Sequence, residues 1–278
     1  MVKRLLIVLA LVLSLASLAA VDLAVTVEVD TTQAFSYSVS VKQARLEMLQ
    51  LVRALAIEKA LPQEISLTSL TTDMYVERGA SFDERTARSI FMMSSSAGRI
   101  VKEEILDEFP LYPKQSQVFR YKMHYRAQVL PVEKVFNPSL DLRVELGNTV
   151  LRDGAELDLA VISNQDGYLY IFDFLPDDSV ALVLPTYLFP DNKLSGNQPW
   201  RQKLTAVAIP GEEHCIETLY FVFSLEPIAG WDSFRSNVSA NDLAFSAGEE
   251  SFTLFQRWLA KSDPAKRVEK MAQIHIFR

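Results

Sequence analysis

The chain has 278 residues, of which 49% are hydrophobic and 23% charged, a composition typical of a folded protein and not of a disordered or collagenous one. Its 35 acidic residues outnumber its 28 basic ones, giving a formal net charge of −7 at pH 7. This balance argues against nucleic acid as a partner, because neutralising phosphates needs a basic surface. A single cysteine, Cys215, excludes an intramolecular disulfide.

Residues 1–20 have the pattern of a signal peptide. Lys3 and Arg4 precede an uncharged segment at 5–15 that is apolar except for Ser14, and small residues follow at a spacing that signal peptidase accepts. The pattern predicts export to the periplasm or cell envelope of a bacterium. The alternative is an uncleaved anchor, because the uncharged stretch 5–21 reaches the lower limit of about 17 residues for a spanning helix. The membrane would then be contacted through this segment alone.

Residues 21–131 are predicted to form a small α/β module. Residues 23–29 alternate as a short strand, and a long amphipathic helix follows that ends before Pro62. The apolar positions of the helix are Val41, Ala44, Met48, Leu51, Val52 and Leu55, with charged residues such as Arg45 and Arg53 falling largely between them. Residues 65–96 are predicted to be loops with short strands.

A β-hairpin is predicted next. Residues 119–129 alternate between apolar and polar side chains, and residues 99–109 are the expected partner strand. The polar face carries the basic residues Arg120, Lys122 and Arg126. They form either an anion-binding patch or cross-strand charge pairs on a solvated face. The carboxylates expected opposite them are Glu103, Glu104, Asp107 and Glu108.

The order of strand, long helix and hairpin, with the segments Ser96-Ala97-Gly98-Arg99-Ile100 and Tyr125-Arg126-Ala127-Gln128-Val129, resembles the N-terminal domain of flagellar assembly protein T. It also resembles small bacterial outer-membrane lipoproteins that share this fold. The resemblance covers about 100 residues of the chain. It implies a compact envelope module that docks to other proteins and carries no catalytic residues.

Prolines and an Asn-Pro-Ser turn predict a linker at 132–139, after which residues 140–278 are rich in strands. Residues 168–174 carry aromatic side chains on one face and aliphatic ones on the other, which predicts a central strand covered on both sides. Strands are expected at 140–146, 156–163, 180–184, 203–209, 215–224 and 272–277, with a helix near 251–261. The predicted class is α+β, with one long helix on an antiparallel sheet followed by a β-sandwich-like domain with a packed C-terminal helix.

The second half resembles the bacterial domain of unknown function 4384 family. The matching segments are Leu151-Arg152-Asp153-Gly154, Asp166-Gly167-Tyr168-Leu169-Tyr170-Ile171-Phe172, Asp177-Asp178 with Leu184-Pro185, Pro210-Gly211-Glu212 and Glu226-Pro227-Ile228. The resemblance implies an accessory β-rich domain that is attached to varied partner domains and has no assigned activity.

Catalytic and cofactor motifs are absent from the sequence. Cys215 cannot pair with His214, because neighbours on a strand point to opposite faces. His124, His214 and His275 lie in separate predicted elements without the paired spacing of a zinc site. Neither a Gly-x-Ser-x-Gly elbow nor a phosphate-binding glycine loop occurs. The sequence therefore predicts no enzyme, no cofactor and no metal.

Two groups of residues have both a structural and a functional interpretation. The acidic group either forms tight turns or binds Ca²⁺, and consists of Asp166, Asp173, Asp177 and Asp178. The aromatic group either packs against the end of the sandwich or lines a groove for a glycan or peptide ligand, and consists of Tyr187, Trp200 and Trp231.

Three hypotheses about function follow. The first is a non-catalytic exported envelope protein that docks onto other envelope proteins as an assembly accessory. The second is a ligand-binding module that uses the aromatic groove. The third is an exported hydrolase whose site a single sequence does not reveal.

Overall fold

The computed structural model describes residues 23–61, 97–114, 116–132, 137–186, 189–234 and 250–278. The chain divides into two compact units, Met1–Glu133 and Lys134–Arg278, and combines helices with several sheets in an α+β fold. Within the described residues, none of the helices combines the length and apolar character required to cross a bilayer.

The first unit is a three-stranded antiparallel sheet with one long helix. The sheet has the order β1-β3-β2, and its strands are β1 (Val25–Ser36), β2 (Gly98–Leu111) and β3 (Val118–Pro131). The predicted helix is confirmed as α1 (Val41–Ala60). Ser40 caps it, because its hydroxyl accepts a 3.0 Å hydrogen bond from the Gln43 amide. The helix stops at Leu61, ahead of Pro62 as expected.

The core of the first unit lies between α1 and the inner face of β3. The alternation of β3 is confirmed: its apolar residues are buried and its polar ones are partly or fully exposed. Its inward side chains are Phe119, Tyr121, Met123, Tyr125, Ala127 and Val129, and the helix contributes Ala44, Met48, Val52 and Ile57. Burying this apolar surface is the main source of stability for the unit.

Charged groups are also buried between helix and sheet. The side chain of Arg53 is only 1% exposed and binds Glu103 through two nitrogens, at 2.7 and 2.8 Å, while the Tyr125 hydroxyl donates to Glu103 at 2.6 Å. Burial alone would raise the pKa of Glu103, but the charge and hydrogen bonds of Arg53 and the bond from Tyr125 together lower it. Glu103 is therefore a carboxylate whose charge is matched inside the fold.

A second, half-buried contact repeats this chemistry. Arg45 lies 2.9 Å from Glu108, and the Tyr121 hydroxyl donates to the same carboxylate at 3.0 Å. Burial and the neighbouring Glu108 raise the pKa of Tyr121 to about 12, so this phenol stays protonated and remains a donor.

The prediction that Glu103 and Glu108 face the basic residues of β3 was wrong. The pairing of β2 with β3 is irregular at two places, between Ile100 and Lys102 and between Ile105 and Asp107. Each irregularity shifts which side chains point outward. Glu103 and Glu108 therefore face α1, and Arg45 and Arg53 turn inward to meet them.

The second unit contains two further sheets. The smaller sheet has the order β10-β6-β4, and the larger has the order β5-β12-β11-β7-β8 with β9 beside β7. The strands are β4 (Leu142–Leu146), β5 (Val150–Arg152), β6 (Glu156–Ser163), β7 (Gly167–Phe174), β8 (Val180–Leu184), β9 (Lys193–Leu194), β10 (Trp200–Thr205), β11 (His214–Ser224) and β12 (Arg267–Phe277).

One hydrophobic core joins these two sheets, since it contains Leu159 and Val161 from β6 together with Ile171 from β7 and Phe221 from β11. The opposite face of the larger sheet is covered by α2 (Glu250–Leu259). Aromatic rings fill that layer: Phe172 lies 4.8 Å from Phe255 and 4.9 Å from Trp258 between ring centroids. The prediction that the strand at 168–174 is covered on both sides is confirmed.

Several expected boundaries differ from the structure. The strand predicted at 23–29 is β1, which runs to Ser36. The strand predicted at 203–209 is β10, which begins at Trp200 and ends at Thr205, and the loop before it contains the short strand β9. The final strand begins at Arg267, five residues earlier than expected. Pairing with a neighbouring strand extends the end of β1 and the starts of β10 and β12. The prediction for 65–96 lies outside the described residues.

Candidate functional site

The three basic residues predicted as an anion patch lie on the outer face of β3, which is the face turned away from α1: Arg120, Lys122 and Arg126. Two of them contact carboxylates. Lys122 lies 3.2 Å from Asp30, and Arg126 lies 2.8 Å from Glu28 and 3.3 Å from Glu104. These contacts are the cross-strand pairs of the structural interpretation, and β1 supplies them as well as β2.

Arg126 and Glu28 each stabilise the charged form of the other. The hydrogen bond and the charge of Arg126 lower the pKa of Glu28, and the same contact raises the pKa of Arg126. Both groups are exposed to solvent, so their attraction is weakened by water and salt. The charge of Arg126 in the basic patch is therefore already neutralised within the sheet.

Arg120 lies at the end of the basic patch where the residues on the neighbouring strands are uncharged. Its neighbours across the sheet are Ala34 on β1 and Leu111 on β2. In the described part of the sheet, therefore, no carboxylate is in register with Arg120. The side chain is exposed, which leaves its guanidinium facing solvent.

An aromatic cluster lies at the same end of the first unit. Phe119 is 2% exposed, and Phe35, Tyr37 and Tyr112 surround it at centroid distances of 5.7, 6.0 and 5.9 Å. Tyr37 and Tyr112 themselves are 52% and 59% exposed. We call these two rings, together with the exposed Leu111 that precedes Tyr112 in the chain, the tyrosine end of the unit. Rings held against a buried neighbour have fixed positions, yet they present most of one face to solvent.

Sequence reasoning missed the tyrosine end. Tyr37 and Tyr112 each follow the last residues of a strand, so they are adjacent only once β1 and β2 both pair with β3. A large aromatic residue directly after a strand is the signal that could have been noticed. That signal does not identify which strand ends meet.

The aromatic groove predicted from Tyr187, Trp200 and Trp231 is not tested as a whole, because Tyr187 lies outside the described residues. Trp200 begins β10 and packs against the core between the two sheets. Trp231 begins a short 3₁₀ helix whose Phe234 packs in the α2 layer, 5.2 Å from Phe172. Trp200 therefore lies against the core between the sheets, whereas the 3₁₀ helix that begins at Trp231 packs through Phe234 against the α2 layer.

The acidic group takes part in turns. Asp177 accepts hydrogen bonds from both the amide and the hydroxyl of Ser179, at 3.0 and 2.6 Å. Asp166 accepts a 2.7 Å bond from the Gly196 amide, and Asp178 adopts a positive φ of 74°. The bonds of Asp177 are the turn chemistry that was the alternative to Ca²⁺ binding, whereas Asp166 joins two loops and Asp173 lies within β7.

An open cavity of about 690 Å³ lies on the outer face of the β10-β6-β4 sheet. Its walls carry both signs of charge, from Glu145, Asp158, Arg201 and Lys203. Lys203 binds Glu156 at 2.6 Å, and this contact raises the pKa of the lysine. Charges paired across an exposed sheet give a hydrated surface, and they select no particular class of ligand.

The prediction that Cys215 and His214 face opposite ways is confirmed. Cys215 is buried in the core between the sheets, whereas His214 is exposed on the other face of β11. The histidines lie in separate elements, as expected, but the elements of two of them are neighbours in the sheet. His214 on β11 and His275 on β12 meet with ring nitrogens 3.2 Å apart, because the two strands are antiparallel neighbours.

Comparison with protein-family models and with curated proteins finds no match for this chain. The two family resemblances stated from the sequence therefore stay predictions.

Proposed function

We propose that this chain is an exported, non-catalytic envelope protein that docks onto another envelope protein through its first unit. The observation that carries the proposal is the tyrosine end, with Tyr37 and Tyr112 held on the buried ring of Phe119 and both more than half exposed. The export signal in residues 1–20 supports the location.

The chemistry of the tyrosine end suits a protein partner. Tyrosine is enriched at protein interfaces because its ring buries a large apolar area while its hydroxyl still finds a hydrogen-bond partner. The contact with Phe119 restricts ring motion before binding, so less conformational entropy is lost when a partner covers the rings. Leu111, which is 39% exposed, lies across from Arg120 and adds apolar area beside that residue on the other face of the sheet.

Arg120 defines the charge expected of the partner. It lies across from Ala34 and Leu111, so no carboxylate among the described residues is in register with it. Arg126 in contrast has carboxylates in register on both sides, and Lys122 contacts the diagonal neighbour Asp30. A partner that places an apolar pocket over the tyrosines and a carboxylate near Arg120 would complement this surface. The proposed partner is therefore a protein surface with an acidic rim around an apolar centre.

The docking test uses photo-cross-linking in intact cells. A photoreactive phenylalanine analogue at position 37 or 112 is expected to cross-link to one discrete envelope protein. The matched control is position 168, because Tyr168 is a partly exposed tyrosine of the second unit. Equal cross-linking from positions 37, 112 and 168, or none from 37 and 112, would contradict the docking proposal.

Affinity for the cross-linked protein then measures the contribution of each residue. We expect the double substitution Tyr37→Ser with Tyr112→Ser to weaken binding about thirtyfold, equivalent to about 2 kcal/mol, as for aromatic residues central to an interface. Arg120→Ala should weaken binding less and make it less sensitive to salt. Tyr168→Ser should leave the affinity unchanged.

The second unit is proposed to be a sandwich-like accessory domain, as its resemblance to the 4384 family implies. Export is tested separately by fractionating cells and measuring the mass of the mature protein. The expected product lacks residues 1–19 or 1–20 and is found in the periplasm or the envelope. An uncleaved product in the cytosol would contradict the proposed location.

A further inference from the structure

The strongest unassigned feature lies at one end of the second unit, where two imidazoles meet across neighbouring strands. His214 is the first residue of β11, and His275 precedes the last residues of β12. In the antiparallel register His214 lies opposite Phe277, and Ile216 lies opposite His275, so the histidines are diagonal neighbours on one face. Nε2 of His214 is 3.2 Å from Nδ1 of His275, and the two rings are within 6° of parallel.

The pair faces away from the core. Cys215, Ile274 and Ile276 point into the core between the sheets, so strand alternation places both histidines on the opposite face. His214 is exposed and His275 is half-buried. Both imidazoles can therefore be reached by an ion from solvent without opening the fold.

We infer that His214 and His275 together bind one divalent transition-metal ion, of the class Zn²⁺, Cu²⁺ or Ni²⁺. Imidazole nitrogens are preferred ligands for these ions. Two nitrogens at about 2.05 Å from a tetrahedral ion lie about 3.3 Å apart. At the right-angle geometry that Cu²⁺ favours, the separation is about 2.9 Å. The observed 3.2 Å falls between these two values.

In the ion-free protein the two nitrogens share one hydrogen as donor and acceptor. When the ion binds, it lies to one side of the line that joins the two nitrogens, at about 2.05 Å from each, and each neutral ring keeps its proton on the other nitrogen. The ring that donated the shared hydrogen therefore changes tautomer, so that its proton moves to its other nitrogen. Both imidazoles stay neutral, and no other group has to ionise.

The strand ends around the pair are fixed. The His214 ring stacks on Phe277 with centroids 4.4 Å apart. The His275 amide donates to Thr149 at 2.8 Å, and the Phe277 carbonyl accepts a 2.7 Å bond from the Asp153 amide. Because the backbone is held on both sides, rotation of the two rings about their side-chain bonds is the movement needed to aim both nitrogens at one ion.

Two protein ligands leave the other coordination positions of the ion open. Among the described residues, His, Cys, Asp and Glu side chains form no group of three or more that could hold an ion. Water therefore completes the coordination in the isolated protein. A bound ion with open positions is exchangeable, in contrast to a closed structural site.

The test is a titration of the full chain with Zn²⁺ by calorimetry and with Cu²⁺ by electron paramagnetic resonance. We expect one ion per chain and a Cu²⁺ spectrum with two coupled nitrogens. His214→Ala and His275→Ala should each weaken binding about tenfold or more, which is at least the effect of losing an outer-shell partner. His124→Ala is the matched control, because the chain has three histidines and each variant keeps two.

The proposal is overturned if His214→Ala and His275→Ala bind as tightly as the unaltered protein, or if His124→Ala weakens binding as much. A Cu²⁺ spectrum of the unaltered protein with fewer than two nitrogens would overturn it without any variant. Circular dichroism of each variant confirms that it is folded.

Discussion

The two units bury their helices in different ways. In the first unit α1 turns Arg45 and Arg53 toward the sheet, where each meets a carboxylate that also accepts a hydrogen bond from a tyrosine hydroxyl. In the second unit α2 covers its sheet with Phe252, Phe255 and Trp258, which are almost completely buried among other aromatic rings.

The difference follows from the size of the available core. A three-stranded sheet with one helix encloses little apolar volume, and paired charges occupy part of its helix–sheet interface. Such pairs contribute little net stability over apolar residues of the same shape, but the loss of one partner is strongly destabilising. We therefore expect the first unit to be sensitive to charge and pH, and the second to changes in volume.

The largest effect is expected from removing volume in the second unit. Phe255→Ala should lower its free energy of unfolding by about 4 kcal/mol, because a fully buried ring in contact with Phe172, Phe174 and Tyr220 is replaced by a cavity. Urea unfolding followed by tryptophan fluorescence reports on this unit, since all three tryptophans lie in it. The exposed Phe189→Ala serves as control and should stay within about 0.5 kcal/mol.

If Phe255→Ala lowers the free energy of unfolding no more than the control does, the aromatic layer is not the stabilising feature of the second unit. The proposed difference between the two units would then be wrong for the second unit.

In the first unit the corresponding change is Arg53→Met. It should destabilise the unit by about 3 kcal/mol, since it leaves Glu103 buried without its guanidinium. Adding Glu103→Gln to the same chain removes the unmatched charge and should restore more than half of the loss. Hydrogen exchange of the α1 amides measures the stability of this unit separately from the second. A double variant no more stable than Arg53→Met would show that packing of the arginine stem, and not charge, is decisive.

The pH dependence of the first unit should change sign with this substitution. In the unaltered protein the pKa of Glu103 is below its ordinary value of 4.5, so its stabilising contribution is present above pH 4.5 and is lost as pH falls toward the lower, folded-state pKa. Without Arg53, burial should raise that pKa above 4.5, and Arg53→Met should then gain stability as the pH is lowered toward 4.5.

Hydrogen exchange of α1 as a function of pH is the measurement. Glu103→Gln provides the baseline, because it cannot titrate at this position. If the unaltered chain and Arg53→Met have slopes of the same sign after subtraction of that baseline, Glu103 is not the group responsible.

The smallest effect is expected on the outer face of the same sheet. Glu28→Gln removes a partner of Arg126, but both side chains are exposed, so water already screens their attraction. The stability of the first unit should change little, and the change should shrink further in high salt. A loss similar to that of Arg53→Met would mean that burial does not distinguish the two ion pairs.

Local patterns in the sequence were sufficient to predict several elements. The helical spacing of apolar residues with Pro62 beyond it predicted α1, and strict alternation predicted β3. Residue type alone also predicted that aromatic and aliphatic side chains lie on opposite faces of the strand at 168–174. These features depend on the repeat of helix or strand, which nearby residues determine.

Pairing between distant segments could not be predicted in this way. Whether Glu103 faces solvent or α1 depends on two irregularities in β2, and a shift of one residue reverses every side chain. The tyrosine end and the meeting of His214 with His275 depend in the same way on which strands become neighbours.

The sequence by itself determined the period of each main element and the α+β class, because both depend on contiguous residues. For the same reason the sequence predicts an export signal. The tertiary structure alone decided which charges are buried, which aromatic rings are exposed together and which histidines touch. Those outcomes depend on register and packing between segments far apart in the chain, and local propensity contains no information about either.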